Sequence, residues 1–190
     1  MTPRTIFLSL CLIVGLAACN PDHTAAVPAP REPRADDIGT ICHMGVTEHR
    51  GPKGQVYLKG QTSPLWFSSV RDAFTWLLVD EGLGQAVAAV YFNDMGRAAS
   101  WDDPGPGTWV EARQAVFVAG SDKGAAMGGQ ELAPFADRLA ASRFVAEHGG
   151  RILAFKDVDR TLLVATAGES PALPQTNLSD GVRKHDQSGP

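Results

Sequence analysis

The residues best suited to chemistry lie close together, between Ile41 and His49. Cys42 supplies a thiolate and Met44 a thioether, while His43 and His49 supply imidazoles. Side chains alternate between the two faces of an extended segment, so the sequence predicts that Cys42 and Met44 point to one side and His43 to the other. A thiolate and a thioether together favour Cu(I), because soft ligands match a soft monovalent ion. We therefore expect a Cu(I) site in this segment.

The sequence leaves the third ligand of this site open. His49 is the first candidate, because it follows a turn that would bring it back toward the two sulfur atoms. His43, Met127 in a glycine-rich loop and a water molecule are the alternatives. Met127 and Met95 are at least as well explained as apolar side chains that pack at the junction of two structural units.

The N-terminus has the features of an export signal. Arg4 supplies a positive charge, an apolar run of about eleven residues extends from Ile6 to Leu16, and small residues lead directly to Cys19. This order resembles the lipobox of bacterial lipoproteins and predicts a signal peptide over residues 1–18 and a lipid on Cys19. An ordinary secretory signal and an uncleaved anchor are the alternatives, but the run is too short to span roughly 30 Å of hydrocarbon. Asn20 does not indicate which bacterial membrane holds the lipid.

Such processing would leave Cys42 as the only thiol of the mature protein. The chain has 3 cysteines, of which Cys11 would leave with the signal peptide and Cys19 would be lipidated. A lone thiol in an oxidising compartment is expected to be buried, liganded or reactive. The polar neighbours His43 and Glu48 favour a metal ligand over a buried structural cysteine, which stays the alternative.

The folded part of the chain is predicted to lie between a flexible linker at residues 19–37 and a flexible tail at residues 161–190, both rich in proline or polar residues. Strands are predicted at Gln55 to Leu58 and at Ala86 to Phe92. Between them, a helix begins after the capping residue Ser69. The helix has apolar residues at helical spacing: Val70, Ala73, Phe74, Leu77 and Leu78.

A second unit repeats this order. A strand is predicted from Trp109 to Ala119, a helix from Glu131 to His148, and a closing strand from Arg151 to Phe155. The buried side of this second helix is predicted to carry Leu132, Phe135, Leu139, Phe144 and Val145. The sequence therefore predicts two packed copies of a strand, helix and strand unit, at residues 38–96, which include the Cys-x-Met pair, and at residues 97–160.

Composition argues against several functions. The net charge is −4 and no basic stripe occurs, so we expect no nucleic-acid partner. The glycine-rich loop from Gly120 to Gly129 lacks the lysine of a phosphate-binding loop, and no Ser/His/Asp signature is present. A thiol-disulfide oxidoreductase acting through Cys42 is disfavoured because no second thiol forms a CxxC pair. A purely structural lipoprotein is a further alternative.

Several stretches in order along the chain carry a resemblance to a known family. They are Cys42-His43-Met44, Gly51 to Gln55, Val70 to Leu78, Val90 to Gly96, Ala125 to Gly128, and His148 to Arg151. Together they resemble the NosL family, copper-binding lipoproteins associated with the assembly of nitrous oxide reductase. The resemblance spans residues from about 40 to 158.

The resemblance implies an α+β fold of two similar ββαβ-like modules. It also implies a periplasmic, membrane-tethered Cu(I) metallochaperone, not an enzyme, that hands copper to apo nitrous oxide reductase together with a periplasmic assembly protein of an ABC-type complex. Cys42 and Met44 stand where the family's ligand pair falls. His43 stands at a position that the family gives to glycine, and His49 is not fixed in the family pattern.

Overall fold

The computed structural model describes residues 27–79, 82 and 84–165. The predicted signal peptide at residues 1–18, the lipidation site Cys19, the start of the predicted linker and the tail beyond residue 165 lie outside the described residues. Among the helices within the described ranges, none has the length and apolarity needed to cross a membrane.

The elements follow one another in two similar series. The first comprises β1 (Gly54–Leu58), β2 (Leu65–Phe67), α1 (Val70–Leu78), β3 (Val87–Asn93) and β4 (Trp109–Glu111). The second comprises β5 (Val116–Ala119), β6 (Ala133–Phe135), α2 (Arg138–His148) and β7 (Arg151–Ala154). A short helix, α3 (Arg160–Ala165), follows.

Both series have the same topology. The first sheet has the order β2-β1-β3-β4 and the second has the order β6-β5-β7, with all pairs antiparallel. In each unit the first strand is central, the next two strands flank it, and the helix connects those flanking strands. The prediction of an α+β fold with two ββαβ-like modules is confirmed.

Helix α1 forms where the sequence predicts it. The Ser69 side chain accepts a 3.0 Å hydrogen bond from the backbone N–H of Asp72, which satisfies a donor that the first helical turn leaves free. Val70, Ala73 and Phe74 are buried in the main core, and Leu77 and Leu78 pack partly against it. This buried face holds α1 against its sheet.

The two units share one core. The ring of Phe74 on α1 lies 5.5 Å from that of Phe92 on β3 and 5.2 Å from that of Phe117 on β5, measured between centroids. Phe92 and Phe117 are themselves 5.7 Å apart with nearly perpendicular planes. Aromatic side chains from both sheets therefore interlock around α1, as expected for units that cannot bury their apolar faces alone.

The single strand predicted from Trp109 to Ala119 is wrong. A 3-10 turn at Ala112–Gln114 separates β4, which pairs with β3, from β5, which is central in the second sheet. The Glu111 side chain accepts a 2.9 Å hydrogen bond from the backbone N–H of Arg113 and so caps this turn. One apolar run thus serves two sheets, and the first sheet extends beyond residue 96.

The helix predicted from Glu131 to His148 is also too long. Its first part is strand β6, and α2 begins only at Arg138, where the Asp137 side chain accepts hydrogen bonds from the N–H groups of Leu139 and Ala140. A proline inside the predicted helix, Pro134, has no N–H to donate, which favours the strand.

The later start of α2 changes which side chains its inner face carries. Leu132 and Phe135 are buried as predicted, but neither belongs to α2. Leu132 precedes β6, and Phe135 is the last residue of that strand. Phe144 and Val145 are half-buried against the smaller apolar cluster. The predicted burial of Leu139 is wrong, because 63% of this side chain is exposed in the first turn of α2.

Residues 27–37, predicted to be a flexible linker, instead lie against the outer face of the first sheet. The Tyr91 hydroxyl donates to the Pro28 carbonyl oxygen at 2.9 Å, and the Tyr57 hydroxyl donates to the Ala29 carbonyl oxygen at 3.1 Å. The Gln55 side chain both accepts from and donates to the backbone of Arg31. Polar side chains on β1 and β3 replace water as hydrogen-bond partners, and this fixes the segment.

Part of the predicted tail is also ordered. Helix α3 occupies residues 160–165, and Leu163 is buried in the main core. The Arg71 guanidinium donates to the Leu163 carbonyl oxygen, and the Arg160 guanidinium donates to the Leu78 carbonyl oxygen. Helix α3 therefore runs antiparallel to α1.

Candidate metal centre

The predicted ligands Cys42 and Met44 lie on a tight surface loop. The N–H of Gly39 donates to the Met44 carbonyl oxygen and the N–H of His43 donates to the Gly39 carbonyl oxygen, both at 2.9 Å. The N–H of Thr40 donates to the carbonyl oxygen of Trp66 on β2 at 2.7 Å. These bonds close the loop and attach it to the edge of the first sheet.

The predicted extended conformation of this segment is therefore wrong, and with it the argument from alternating faces. His43 has a φ of 55°, the left-handed conformation that L-residues seldom adopt. Glycine adopts positive φ at no steric cost, so a glycine would fit this position without strain. A turn, and not an extended strand, carries Cys42 and Met44.

The Cys42 thiol lies in a close-fitting niche. Its Sγ is 3.1 Å from the Oγ of Ser68, a buried residue just before the cap of α1, and 3.9 Å from the Met44 carbonyl oxygen. A Cβ atom on Gly39 would lie 2.5 Å from Sγ, so a side chain at this position would displace the thiol. The thiol thus sits at the N-terminal end of α1, where the helix dipole favours a negative charge.

The Met44 side chain is more accessible than the thiol. It is 40% exposed, whereas Cys42 is half-buried. Cys42 is the only free cysteine of the described ranges. The loop therefore carries a half-buried thiol and a more exposed thioether, and both are soft donors.

His49, the predicted third ligand, has its ring in a more enclosed setting. Its Nε2 is buried without a hydrogen-bond partner, as is Oδ2 of Asp72 on α1. Burial raises the pKa of Asp72, although Ser69, Arg71 and His49 oppose this rise. The Nε2 of His49 and the Oδ2 of Asp72 are thus left without hydrogen-bond partners among the described residues, and both remain able to bind a ligand.

The backbone of His49 is fixed by a buried lysine that the sequence analysis missed. The Lys53 Nζ donates to the carbonyl oxygens of His49 and Gly51, at 2.7 and 2.5 Å, and only 6% of this residue is exposed. Burial lowers the pKa of Lys53 to about 8. Lys53 lies in the stretch Gly51 to Gln55 that carries part of the family resemblance, and this was the signal available in the sequence. Lysine is rarely buried without a structural or functional reason.

The other sulfur and imidazole candidates lie elsewhere. Met127 is 51% exposed in the loop between β5 and β6 of the second unit, and Met95 packs against the smaller apolar cluster. His43 is exposed on the loop itself. Across the described ranges no group of three or more His, Cys, Asp or Glu side chains forms a metal cluster. The Cys42 thiol and the Met44 thioether are therefore the two sulfur donors on this loop.

Fold and site together define a class: a small two-unit α+β protein that carries a thiol and a thioether on one surface loop. The NosL family model matches residues 30–163. The chain belongs to the NosL family.

Named relatives agree with this assignment. The chain is 37% identical over 166 residues to the copper-binding lipoprotein NosL of Achromobacter cycloclastes, covering 87% of this chain and 84% of the relative. It is 34% identical over 163 residues to the protein of the same name from Stutzerimonas stutzeri, covering 84% and 82%. The crystal structure of the copper chaperone NosL from Shewanella denitrificans superposes with a TM-score of 0.65 at 31% identity, covering 70% of this chain and 97% of that one.

Proposed function

We propose that this protein is a Cu(I) metallochaperone, not an enzyme, that binds the ion through the Cys42 thiolate and the Met44 thioether. The observation that carries this proposal is the closed loop, which places both soft donors at the surface beside the N-terminus of α1. The names of the relatives, copper-binding lipoprotein and copper chaperone, support it.

The two sulfur ligands have different tasks. The Ser68 hydroxyl, 3.1 Å from Sγ, can donate to the thiolate and hold it in place while it binds the ion. The exposed Met44 side chain closes over the ion and opens again, because its flexible thioether has few fixed contacts to break. We propose His49 as the third ligand, since its buried Nε2 lacks a partner in the absence of a ligand.

The exposure of the site favours transfer. An incoming ligand from an acceptor can add to an ion held by two or three donors before one of those donors leaves, so that free Cu(I) is never released. The proposed acceptor is apo nitrous oxide reductase, loaded together with a periplasmic assembly protein of an ABC-type complex. This transfer needs no covalent catalysis by the chain.

The proposed location is the periplasm, where a lipid on Cys19 anchors the protein to a bacterial membrane. The relatives' name of lipoprotein supports this location. Substituting Cys19→Ala should abolish incorporation of labelled palmitate and release the protein from the membrane fraction. Retention of the label in this variant would refute the anchor.

The copper site is tested by titrating the reduced mature protein with Cu(I) against a competing chelator. We expect Cys42→Ser to abolish tight binding and Met44→Leu to weaken it by roughly tenfold or more, the loss of one soft ligand. Met127→Leu is the matched control, because Met127 is exposed on the other unit. Unchanged affinity in both loop variants would show that the site lies elsewhere.

A further inference from the structure

An apolar cavity of about 260 Å³ opens at the junction of the two units. Its walls come from the C-terminal half of α1, from β3 and from the turn that follows β7. The apolar side chains that line it include Phe74, Leu77, Leu78, Val87, Val90 and Phe155. The cavity lies at the C-terminal end of α1. The loop that carries Cys42 and Met44 contacts Ser68, just before the N-terminal end of that helix.

The cavity is larger than ordinary packing leaves. Phe74 and Val90 are buried in the main core, so the opening reaches from the surface into the core itself. Protein interiors are packed with few voids larger than a water molecule. An apolar pocket with a few polar groups at its edge is the usual form of a small-molecule site, and this one is slightly smaller than the common range of about 300–1,000 Å³.

The charged residues of the cavity are both cations. Arg113 and Lys156 line it and are exposed. The guanidinium carbon of Arg113 lies 5.8 Å from the centroid of the Phe155 ring, and the group is 3.6 Å from Glu111 Oε1. Lys156 forms no ion pair within the described residues, and no described lining residue carries a carboxylate. An anionic group at the cavity mouth would therefore meet Lys156, which has no ion pair among the described residues, and Arg113, whose guanidinium Glu111 also contacts.

We propose that this cavity binds a single-chain anionic amphiphile, the carboxylate form of a medium-chain fatty acid. The alkyl chain lies between α1 and Phe155, and the carboxylate lies at Arg113 and Lys156. A methylene group is of the same order of size as a water molecule, whose share of liquid volume is about 30 Å³, so the cavity holds roughly eight. This site is independent of the copper proposal, although a lipid anchor would keep it near membrane-derived fatty acids.

The test uses decanoate as the probe, below its micelle concentration, and the mature protein with methyl groups labelled for NMR. We expect saturable chemical-shift changes at the methyls of Leu77, Leu78 and Val87. The methyls of Leu139 and Val164, which are exposed outside the cavity, are the internal controls. Decanol, which has the same chain without the charge, should bind more weakly.

Two kinds of variant distinguish binding of the alkyl chain from binding of the carboxylate. Leu77→Trp fills the cavity and should abolish the shifts, and Val87→Phe serves the same purpose if the first variant does not fold. Arg113→Gln combined with Lys156→Gln should weaken decanoate binding by roughly three- to tenfold and leave decanol binding unchanged, as expected for exposed charge pairs. Lys123→Gln, a cation outside the cavity, is the matched control.

The proposal is overturned if decanoate causes no saturable shifts, if the shifts are as large at Leu139 as at Leu77, or if the filled variants bind as well as the wild type. Shifts that appear only with vesicles of anionic phospholipid, and not with decanoate, would assign the surface to a membrane instead. Equal affinity for decanol and decanoate would refute the role of the two cations.

Discussion

The backbone N–H of Arg71 donates a 2.9 Å hydrogen bond to the side-chain oxygen Oε1 of Glu131. Arg71 lies in the first turn of α1, whereas Glu131 precedes β6 in the second unit. The same oxygen accepts from the N–H of Leu132 at 2.8 Å, and Glu131 is fully buried. The second unit thus helps to cap α1, and Ser68, just before the N-cap residue of this helix, contacts the Cys42 thiol.

Glu131 should make stability depend on pH. Burial, the largest influence, raises its pKa from 4.5 to about 8, against the opposing hydrogen bonds from Arg71 and Leu132 and the charge of Lys53. Between these two values the folded state binds the proton that the unfolded state releases. The stabilisation is complete below pH 4.5 and is lost as pH rises through about 8, with a slope of at most about 1.4 kcal/mol per pH unit.

Denaturant unfolding of the wild type and Glu131→Gln across this range checks the prediction. The amide retains an oxygen that can accept both hydrogen bonds, so the variant should be stable and lack this slope. Glu131→Ala should lose about 2–4 kcal/mol, because it leaves two donors unpaired and creates a cavity. The same pH slope in Glu131→Gln as in the wild type would assign it to another group.

Lys53 should give the opposite slope at higher pH. Burial lowers its pKa from 10.5 to about 8, so between these values the unfolded state binds the additional proton. Its contribution to stability is complete above pH 10.5 and is lost as pH falls through about 8. Unfolding of Lys53→Met, with the exposed Lys59→Met as control, should show that only the first variant loses this rise. A rise that persists in Lys53→Met would contradict the assignment.

His43→Gly should stabilise the loop slightly. The left-handed conformation costs an L-residue roughly 1–2 kcal/mol, and the added freedom of glycine in the unfolded chain offsets about 0.4–1 kcal/mol of this. We expect a net gain of roughly 0.5 kcal/mol in the free energy of unfolding, and no loss of Cu(I) affinity. Cu(I) affinity is measured in the same variant as stability. A marked loss of Cu(I) binding would show that His43 is itself a ligand.

Ser68→Ala should reduce the reactivity of Cys42. Removing a hydroxyl 3.1 Å from Sγ takes away a hydrogen-bond partner of the reacting sulfur, a loss of about 1 kcal/mol or roughly fivefold in rate. The rate of alkylation by iodoacetamide measures this effect in the copper-free protein. Ser63→Ala, in the exposed loop before β2, is the control. Equal rates in wild type and Ser68→Ala would mean that this contact does not affect the reactivity of Cys42.

The sequence predicted those features that depend on neighbouring residues. The capping residue of α1, Ser69, and the residues of its apolar face lie close together in the sequence. Local chemistry therefore determines this helix. The wrong prediction that a helix begins at Glu131 shows what local sequence patterns do not determine. Leu132 and Phe135 have a spacing that fits a helix, but β6 is specified by its pairing with β5, which is not visible locally.

The candidate site shows the same division. The types of its sulfur ligands, and therefore its preference for Cu(I), follow from Cys42 and Met44 alone. Its shape does not, because the loop depends on the bond from Thr40 to Trp66 and on the niche between Gly39 and Ser68. Residues 27–37 resembled a linker by composition, but polar side chains of the first sheet, Gln55, Tyr57 and Tyr91, give them a fixed place.

X-ray absorption of the Cu(I)-loaded mature protein tests the central claim most directly, because it counts the atoms bound to the ion. We expect two sulfur neighbours in the wild type and one in Met44→Leu, with a light nitrogen or oxygen neighbour in both. We also expect both sulfur neighbours to lie at bonding distance from the ion. His49→Ala should lose a nitrogen neighbour while both sulfurs remain. A wild-type spectrum with no more than one sulfur neighbour, or a sulfur count unchanged in Met44→Leu, would contradict the assignment of Cys42 and Met44 as ligands.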